Sequence, residues 1–324
     1  MKTLSIGVVI PTYNAARVIA EAIESALRQE VPPDQVIVVD DGSTDETAQV
    51  VRQFGDRVEY VLQPNRGPSA ARNRGWGRLR TEAVAFLDAD DLFLPGAFAA
   101  RRALLDQEDT VWASTDGFLQ DGTGRRWPFS ETYPPGARRA EGWILPDLLC
   151  RNFIATSGVI VRRDALSTAG GFDESMRWME DWDLWLRLAA RHPTHRSPEP
   201  TFVQRLAPHT LSSNRDAMVR MRYRALVKMW RLFPREVAAA GPPARRSVAD
   251  AHNWFGYALA EKGRWKEARP FLRTSIRLWP PQGRAWWLLL RCLTSPCRPP
   301  RLPEQSPHGP GPCVPGCSTE PGEK

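Results

Sequence analysis

The sequence lacks the features that would anchor the chain in a membrane or cross-link it covalently. Among 324 residues there are only five cysteines, and a chain of this length builds a sufficient core without disulfides. The N-terminal apolar run stops at Pro11 and is too short for a signal peptide. The longest other apolar run, residues 286–290, is far below the roughly 18 residues that cross a bilayer. These absences predict a cytoplasmic protein.

Lysine is also scarce, so the positive charge is carried almost entirely by arginine. The chain has 44 basic and 37 acidic residues and a formal net charge of +7. Arginine suits bidentate contact with phosphates, and this charge also suits an anionic membrane surface. The arginines are scattered rather than interleaved with aromatic residues on one face, so we expect no nucleic-acid partner.

Short apolar runs alternate with segments of helical spacing over the first ninety residues. The pattern predicts strands at 5–10, 35–39, 58–62 and 83–87, separated by helices at 15–29, 45–54 and 69–79. Such alternation favours an α/β fold with a mostly parallel sheet and helices on both faces. Ligands bind at the carboxyl ends of the strands in such sheets. The polar residues that follow those ends are Thr12, Asn14, Asp40, Asp41, Asp88, Asp90 and Asp91.

The second half of the chain predicts more strands and then only helices. Strands are expected at 157–161 and 201–206, and helices at 183–190 and 215–232. Residues 249–282 resemble one tetratricopeptide repeat, with Gly256, Ala268 and Pro280 at spacings of 12 residues. One repeat cannot bury its own apolar face, so it must dock on the first domain, on another copy or on a protein partner.

These observations predict four regions. They are a catalytic α/β domain (1–215), a basic helix and a linker marked by Pro242-Pro243 (216–243), a tetratricopeptide-like helical region (244–293) and a disordered, Pro/Gly-rich tail (294–324).

The segment with the clearest chemistry is Leu87-Asp88-Ala89-Asp90-Asp91. It follows an apolar strand and places carboxylates at positions i and i+2, where both can reach one site. Hard oxygen ligands select Mg²⁺ or Mn²⁺, which take further ligands from phosphates and water. An acidic turn that caps the next helix would give the same local pattern.

Four segments in order carry a resemblance to a known family. They are VVIPTYN (8–14), VVDDGSTD (38–45), NRGPSAARNRG (65–75) and LDADD (87–91). Together they resemble the family 2 glycosyltransferases of the GT-A fold. GFDE (171–174), EDWDL (180–184) and the spacing Arg205-x3-His209-x2-Ser212 continue the likeness, which covers about residues 4–215.

The resemblance implies transfer of a sugar from a nucleotide-sugar donor, a UDP-sugar by family frequency, with inversion at the anomeric carbon. By matching motif, it assigns Pro11, Thr12, Asn14 and Asp41 to the nucleoside, Asp88 to the ribose or the metal, and Asp90 and His209 to Mn²⁺ or Mg²⁺. Arg72 either approaches the diphosphate or anchors its own loop.

Inversion requires a carboxylate that takes the proton of the attacking hydroxyl. Asp181 is the expected base and Glu180 its rival, because only one of two adjacent residues should point into the site. Asp181 lies near a helix N-terminus, where the dipole favours its charge, so its pKa should not be raised. Trp178, just before these acids, is the candidate that stacks on an acceptor sugar.

The sequence therefore predicts a metal-dependent inverting glycosyltransferase that acts on a saccharide, lipid-linked or protein acceptor in polysaccharide, cell-envelope or glycolipid biosynthesis. The basic helix (215–232) and the Trp/Leu run (286–290) suit peripheral contact with the inner face of a membrane. The alternative is a catalytically degenerate domain that serves as a scaffold through its helical repeat. The intact Asp90, Asp181 and His209 favour the enzyme.

Overall fold

The computed structural model describes residues 4–132, 141–206 and 215–294. Its centre is one nine-stranded sheet with the order β3-β2-β1-β4-β8-β6-β9-β5, and β7 pairs with β6 outside this path. The strands are β1 (Ile6–Thr12), β2 (Gln35–Asp40), β3 (Glu59–Leu62), β4 (Ala83–Phe86), β5 (Leu92–Phe93), β6 (Trp112–Gln120), β7 (Arg126–Pro128), β8 (Val159–Arg162) and β9 (His195–Arg205).

The predicted fold class is confirmed, and its parallel part is the first half of the sheet. Strands β3, β2, β1 and β4 run parallel. From β8 onward the sheet is mixed, because β8 pairs antiparallel with both β4 and β6, whereas β6 and β9 run parallel. The first half matches the prediction because β1, β2 and β4 are largely continuous apolar runs, the pattern of a strand buried on both faces.

Helices cover both faces of the sheet, and further helices follow at the C-terminal end of the described residues. They are α1 (Ile19–Leu27), α2 (Thr47–Arg52), α3 (Pro68–Arg78), α4 (Ala97–Leu105), α5 (Leu145–Cys150), α6 (Arg163–Ala169), α7 (Glu180–Ala189), α8 (Arg215–Leu232), α9 (Pro234–Ala239), α10 (Pro242–Glu261), α11 (Trp265–Leu278) and α12 (Gly283–Thr294). An apolar core lies on each face of the sheet, and alternate residues of β1 point into different cores. Val8 and Ile10 pack in the core that contains α1 and α4, whereas Val9 packs in the core that contains α3 and α7.

Several boundaries differ from the sequence prediction. Helix α7 starts at Glu180 rather than 183, and β9 starts at His195 rather than 201. Pro242-Pro243 is not a linker, because Pro242 begins α10 directly after Gly241. Proline fits the first turn of a helix, where its missing N–H would have no intrahelical partner.

The C-terminal helices divide between two apolar cores. Residues of α8, α9 and the first half of α10 belong to the same core as α3 and α7. Helices α11 and α12 form a smaller core with the end of α10. Gly256 lets α10 and α11 approach closely, since a Cβ there would lie 2.7 Å from Leu272 Cδ2. The tetratricopeptide-like repeat and the four region boundaries stay predictions, and residues 295–324 lie outside the described residues.

No helix in the described ranges is long and apolar enough to cross a membrane.

Two glycines of α3 provide a matched test of this packing. A Cβ on Gly75 would lie 2.3 Å from Val9 Cγ1, whereas one on Gly77 meets nothing within 4 Å. Gly77→Ala should raise the free energy of unfolding by about 0.5–1 kcal/mol, because alanine favours the helix. Gly75→Ala should lower it by about 1–3 kcal/mol through overpacking against β1. Urea unfolding measures both, and equal stabilisation by the two variants would contradict this packing.

Candidate active site

The site is built where β1, β2 and β4 end. Thr12 pairs with Asp40 in the register of β1 and β2. The N–H of Leu87, directly after β4, donates to the carbonyl of Val9. The carboxyl ends of neighbouring parallel strands meet at one edge, so the polar residues predicted from the sequence are brought together there.

The loops after β1 and β2 hold each other through Asn14. Its N–H donates to Ser43 Oγ at 2.9 Å, and its Oδ1 accepts from the N–H of Thr44 at 2.8 Å. Asn14 adopts the left-handed conformation, with φ of 49°, which asparagine tolerates better than most residues. Although Asn14 is exposed, its hydrogen bonds therefore fix the loops at this edge of the site.

Asp40 and Asp41 are both buried and both fasten the chain around them. Asp40 accepts hydrogen bonds from the N–H of Ser43 at 2.8 Å and from the hydroxyl of Tyr60 at 2.7 Å. Burial, together with this bond to Asp40, raises the pKa of Tyr60 to about 12. The carboxylate thus fixes the first turn after β2.

Asp41, expected to contact the base, uses its carboxylate to hold the loop that leads into α3. Its Oδ1 accepts from Gln63 Nε2 at 2.7 Å and from the N–H of Arg66 at 2.8 Å, and its Oδ2 accepts from the N–H of Gly67 at 2.7 Å. A carboxylate has about four acceptor positions, and three are used here. One acceptor position remains, and contact of Asp41 with a nucleotide base stays a prediction.

Within the described part of the chain, Thr12 has a polar atom without a hydrogen-bond partner at this edge of the sheet. Its side chain is 3% exposed, and its Oγ1 finds no hydrogen-bond partner among the described residues. A buried hydroxyl without a partner is costly unless a ligand or water supplies one. Pro11, just before it, is buried within β1 and pairs in register with Val39.

Arg72 connects the two acidic segments of the site. From α3, its Nη2 donates to Asp88 Oδ1 at 2.7 Å and its Nη1 donates to Glu180 Oε1 at 2.9 Å. The guanidinium also lies over the ring of Phe172, 5.2 Å from its centroid. Arg72 is 5% exposed, and although burial opposes it, the charges of Asp88 and Glu180 raise its pKa.

The next residue, Asn73, joins α3 to the Gly-Phe-Asp-Glu turn. Its Oδ1 accepts from the N–H of Phe172 at 2.9 Å, and its Nδ2 donates to the carbonyl of Phe172 at 2.8 Å. Two observations favour glycine at position 171. Its φ of +64° is rarely adopted by other residues, and a Cβ would lie 2.7 Å from Asn73 Oδ1. The two sequence segments therefore act as one structural unit under Arg72.

The turn from Asp88 to Asp91 is held from below by Ser157. Ser157 Oγ accepts from the N–H of Asp88 at 3.3 Å and donates to Asp91 Oδ2 at 2.6 Å. Arg205 adds two bonds, from its N–H to Asp91 Oδ1 at 3.2 Å and from Nε to the carbonyl of Asp90. Asp91 is thus a structural acid, and burial with the nearby charges of Asp88 and Asp90 raises its pKa well above the usual value.

A buried arginine supports Ser157 in turn. Arg101 of α4 is fully buried, and its Nη2 donates to the carbonyl of Ser157 at 2.5 Å and to Thr201 Oγ1 at 3.1 Å. Its guanidinium lies over Phe93, 4.3 Å from the ring centroid. The backbone under the acidic turn is therefore tied to α4 and to β9.

Asp88 and Asp90 are the two carboxylates that suit a divalent cation. Both are half-buried, and burial followed by the charge of Asp88 raises the pKa of Asp90. This mutual repulsion is what a cation would relieve. The part of the chain that the structure describes has no cluster of three or more His, Cys, Asp or Glu side chains placed for a metal. Two carboxylates nevertheless fit Mg²⁺ or Mn²⁺, which takes its other ligands from phosphates and water. His209, the other expected ligand, lies outside the described residues.

Glu180 and Asp181 have different surroundings at the start of α7. Glu180 is 8% exposed and is held by Arg72. Asp181 is half-buried and accepts one hydrogen bond from Asn152 Nδ2 at 3.1 Å.

The expectation that the pKa of Asp181 stays unraised is wrong. Burial, followed by the negative charge of Glu180, raises the pKa of Asp181 to about 7, against the lowering effect of Arg72 and Asn152. A position in the first helical turn does not offset this loss of hydration, because the dipole effect is worth only about 0.3–1 kcal/mol at exposed positions.

The turn before α7 sets where these acids point. Met179 has a φ of 60°, a conformation that bulky residues rarely adopt and that concentrates at functional sites. Trp178, the expected acceptor residue, is half-buried on this turn. Trp182 and Trp185 are fully buried in the core.

The sequence analysis did not predict that Ser157, Asn152 and Arg101 support the site, because nothing in their local sequence shows which element they face.

Two family models match the chain. Residues 7–162 match the family "Glycosyl transferase family 2" and residues 137–239 match "Glycosyltransferase like family 2". The matched ranges contain every described site residue named above.

A curated relative of known context is similar over much of the same region. The succinoglycan biosynthesis protein ExoU of Rhizobium meliloti is 32% identical over 213 residues, which are 56% of this chain and 56% of that protein. The chain spans less than two thirds of the length of the curated relatives it matches, between 27% and 59% in the proteins compared.

Two solved structures have the same fold. The S. aureus protein TarS, in complex with UDP-GlcNAc, aligns with a TM-score of 0.61 at 20% identity and covers 90% of this chain and 88% of its own. The mannosyltransferase PcManGT of Pyrobaculum calidifontis, in complex with GDP-Man and Mn²⁺, aligns with a TM-score of 0.59 at 20% identity and covers 91% and 88%. At this level of identity the likeness concerns the fold.

The bridge through Arg72 leads to a stability prediction. Arg72→Ala leaves Asp88 and Glu180 without their shared cation in a buried setting, so the free energy of unfolding should fall by about 3–5 kcal/mol. Arg66 is a matched control, since it forms an exposed pair with Glu174 at 2.8 Å. Arg66→Ala should cost less than about 1 kcal/mol. Urea unfolding measures both, and equal losses would contradict the bridging role.

Proposed function

We propose that this protein, whose residues 7–239 carry family 2 glycosyltransferase sequence, is a glycosyltransferase that moves a sugar from a nucleotide-sugar donor to a hydroxyl acceptor. The observation that carries the proposal is the Arg72 bridge. One guanidinium holds the acidic turn at the end of β4 and the start of α7 in a single arrangement. A transferase needs both parts, one for the leaving nucleotide and one for the incoming hydroxyl.

The donor's nucleoside would lie at the ends of β1 and β2. Thr12 Oγ1 supplies a buried hydroxyl that finds no partner among the described residues. Pro11 and Asn14 shape the wall beside it, and Asp41 keeps the loop before α3 in place. A UDP-sugar is the proposed donor, in keeping with UDP-GlcNAc bound to the similar fold of TarS.

The diphosphate would lie over Asp88 and Asp90. Their oxygens would hold Mn²⁺ or Mg²⁺, and a cation there would supply Lewis-acid stabilisation of the departing nucleoside diphosphate. The similar fold of PcManGT is described with Mn²⁺ and GDP-Man. Arg72 fixes Asp88, while Arg205 and Ser157 fix the backbone of the turn, so the two carboxylates keep their orientation.

Asp181 would be the general base of an inverting transfer. A pKa of about 7 makes it a better proton acceptor than an ordinary carboxylate, yet it is still about half ionised near neutral pH. Its Oδ atoms would take the proton of the acceptor hydroxyl as the new glycosidic bond forms and the bond to the nucleotide breaks. Glu180, paired with Arg72, would position α7 rather than accept the proton.

The acceptor is proposed to be a saccharide, a lipid-linked sugar or a protein, in polysaccharide, cell-envelope or glycolipid synthesis. The name of the similar ExoU, a succinoglycan biosynthesis protein, favours the polysaccharide. Trp178 would offer an aromatic face to the acceptor sugar. A scaffold that has lost its activity is the second candidate, and the strained turn at Met179 with the raised pKa of Asp181 argues against it, because such costs are kept at working sites.

Donor and metal can be tested together by thermal shift. UDP-GlcNAc, other UDP-sugars and GDP-mannose are added with and without Mn²⁺, and one nucleotide sugar should raise the melting temperature more when Mn²⁺ is present. Binding a ligand at 100 times its Kd stabilises the fold by about 2.7 kcal/mol. No shift with any nucleotide or nucleotide sugar would refute the proposed donor class.

Two substitutions separate the proposed roles. Asp181→Asn should abolish transfer but keep the Mn²⁺-dependent shift by the nucleotide, because the base does not hold the donor. Asp90→Asn should lose both the transfer and the Mn²⁺-dependent part of the shift. Circular dichroism checks that both variants fold. Full activity in either variant would remove its assigned role.

The raised pKa of Asp181 gives a pH prediction. The base works only when deprotonated, so kcat/KM should fall as the pH drops through about 7. Asn152 donates to Asp181 and favours the charged form, so Asn152→Ala should move the midpoint to higher pH while Asn152→Asp, which adds a negative charge, should move it further. A midpoint that stays at the pH of the unaltered enzyme in both variants would show that Asp181 does not set the profile.

A further inference from the structure

Helix α12 presents an apolar surface to solvent. Trp286, Trp287, Leu290 and Leu293 are 52%, 40%, 60% and 58% exposed. The opposite side of the helix is buried, since Ala285, Leu288 and Cys292 pack on α11 and the end of α10. With 3.6 residues per turn, the four exposed side chains fall on one side, away from the buried three. We name this surface, formed by those four residues, the α12 apolar face.

The segment that carries this face is rich in positive charge. Residues 262–294 contain eight basic residues and one acidic residue, and the remaining 36 basic and 36 acidic residues of the chain balance each other. The single acid, Glu267, already pairs with Arg264 at 2.5 Å. On α12 itself, Arg284 lies over the ring of Tyr257 at 4.0 Å and Arg291 over the ring of Trp287 at 4.8 Å. Neither forms an ion pair with a carboxylate in the described ranges.

The basic helix α8 differs, because two of its basic side chains bind polar groups elsewhere in the protein. Lys228 binds Asp173 at 2.7 Å and Asp183 at 2.9 Å, and Arg224 binds Ser175 Oγ at 2.8 Å. Burial opposes the effect, but the hydrogen bond from Lys228 holds the pKa of Asp173 well below its usual range. These two residues of α8 therefore bind α7 and the turn before it, and contact of α8 with a membrane stays a prediction.

We propose that the α12 apolar face, flanked by Arg284 and Arg291, docks on an anionic lipid surface. Tryptophan and leucine are the side chains that enter the boundary between headgroups and acyl chains, and arginine binds the phosphates at that depth. The exposed Lys262, Lys266 and Arg273 add to the attraction of an anionic surface, which reaches about one Debye length, ~8 Å at physiological salt. This inference concerns binding alone and does not depend on the proposed transfer reaction.

Charge complementarity selects the lipid over a second copy of the chain. Two α12 faces brought together would also bring together two segments with eight basic residues and one acidic residue each. Like charges at this distance oppose association. An anionic membrane matches both properties of the surface, its apolar centre and its cationic edge.

The test is sedimentation of the full chain with vesicles of phosphatidylcholine alone, or of phosphatidylcholine mixed with phosphatidylglycerol. The protein should sediment with the mixed vesicles, and high salt should release part of it. Leu290→Ser with Leu293→Ser should weaken binding by about tenfold for each leucine. The matched control is Leu62→Ser with Leu232→Ser, two leucines that are 55% and 51% exposed elsewhere, and it should bind like the unaltered protein.

A second pair of variants tests the charge. Arg284→Gln with Arg291→Gln should weaken binding to the mixed vesicles by about 25-fold, at roughly 1 kcal/mol per charge. Arg28→Gln with Arg80→Gln removes the same charge from exposed positions elsewhere and should have a much smaller effect. Circular dichroism and melting temperature confirm that each variant is folded.

Three results would overturn the proposal. They are failure to bind the mixed vesicles, equal binding to phosphatidylcholine alone, and equal effects of the test and control pairs. Light scattering adds a fourth, because a dimer that the Leu290/Leu293 variant dissociates would mean that a second copy covers this face. The donor thermal shift is measured on the same variants, so loss of lipid binding with an unchanged shift separates this surface from the active site.

Discussion

A single buried guanidinium determines the geometry of the active-site region. Arg72 binds a carboxylate that follows β4 and another that opens α7, two segments more than ninety positions apart in the chain. Only arginine offers two donor pairs in a rigid fork that can face two carboxylates at once. Asn73 and Gly171 then fix the turn whose aromatic ring lies beneath that fork.

The sequence predicted the edge of the sheet well, because an apolar run followed by acidic residues is a local signal. It did not predict what each acid does. Asp40 and Asp41 meet Tyr60, Gln63 and the loop before α3, and these partners depend on the register of β2 with β3. The raised pKa of Asp181 depends on burial by distant parts of the chain, which spacing does not report. Glu180 and Asp181 are adjacent in sequence, yet Arg72 selects only one of them.

The C-terminal helices illustrate the same limit on a larger scale. The resemblance to a tetratricopeptide repeat predicted a helical hairpin over 249–282, and Gly256 lies where α10 and α11 approach closely. The partners of these helices were not predicted: α8, α9 and the first part of α10 share the core of the sheet, so the apolar surface that one hairpin cannot bury is partly covered by the first domain. Lys228 of α8 pairs with Asp173 and Asp183, whereas no basic residue of α11 or α12 forms an ion pair with an acid among the residues that the structure describes. Composition alone cannot distinguish these two basic segments, because both are rich in arginine.

The mutual hydrogen bonds of the loops around Asn14 and Asp41 have a thermodynamic consequence. The chain after β1, the turn after β2 and the approach to α3 already hold one another through side-chain-to-backbone bonds. A ligand that binds here contacts loops that are already ordered. The backbone therefore loses little conformational freedom on binding. A larger part of the favourable binding enthalpy then contributes to affinity, because the entropy lost by ordering these loops on binding is small.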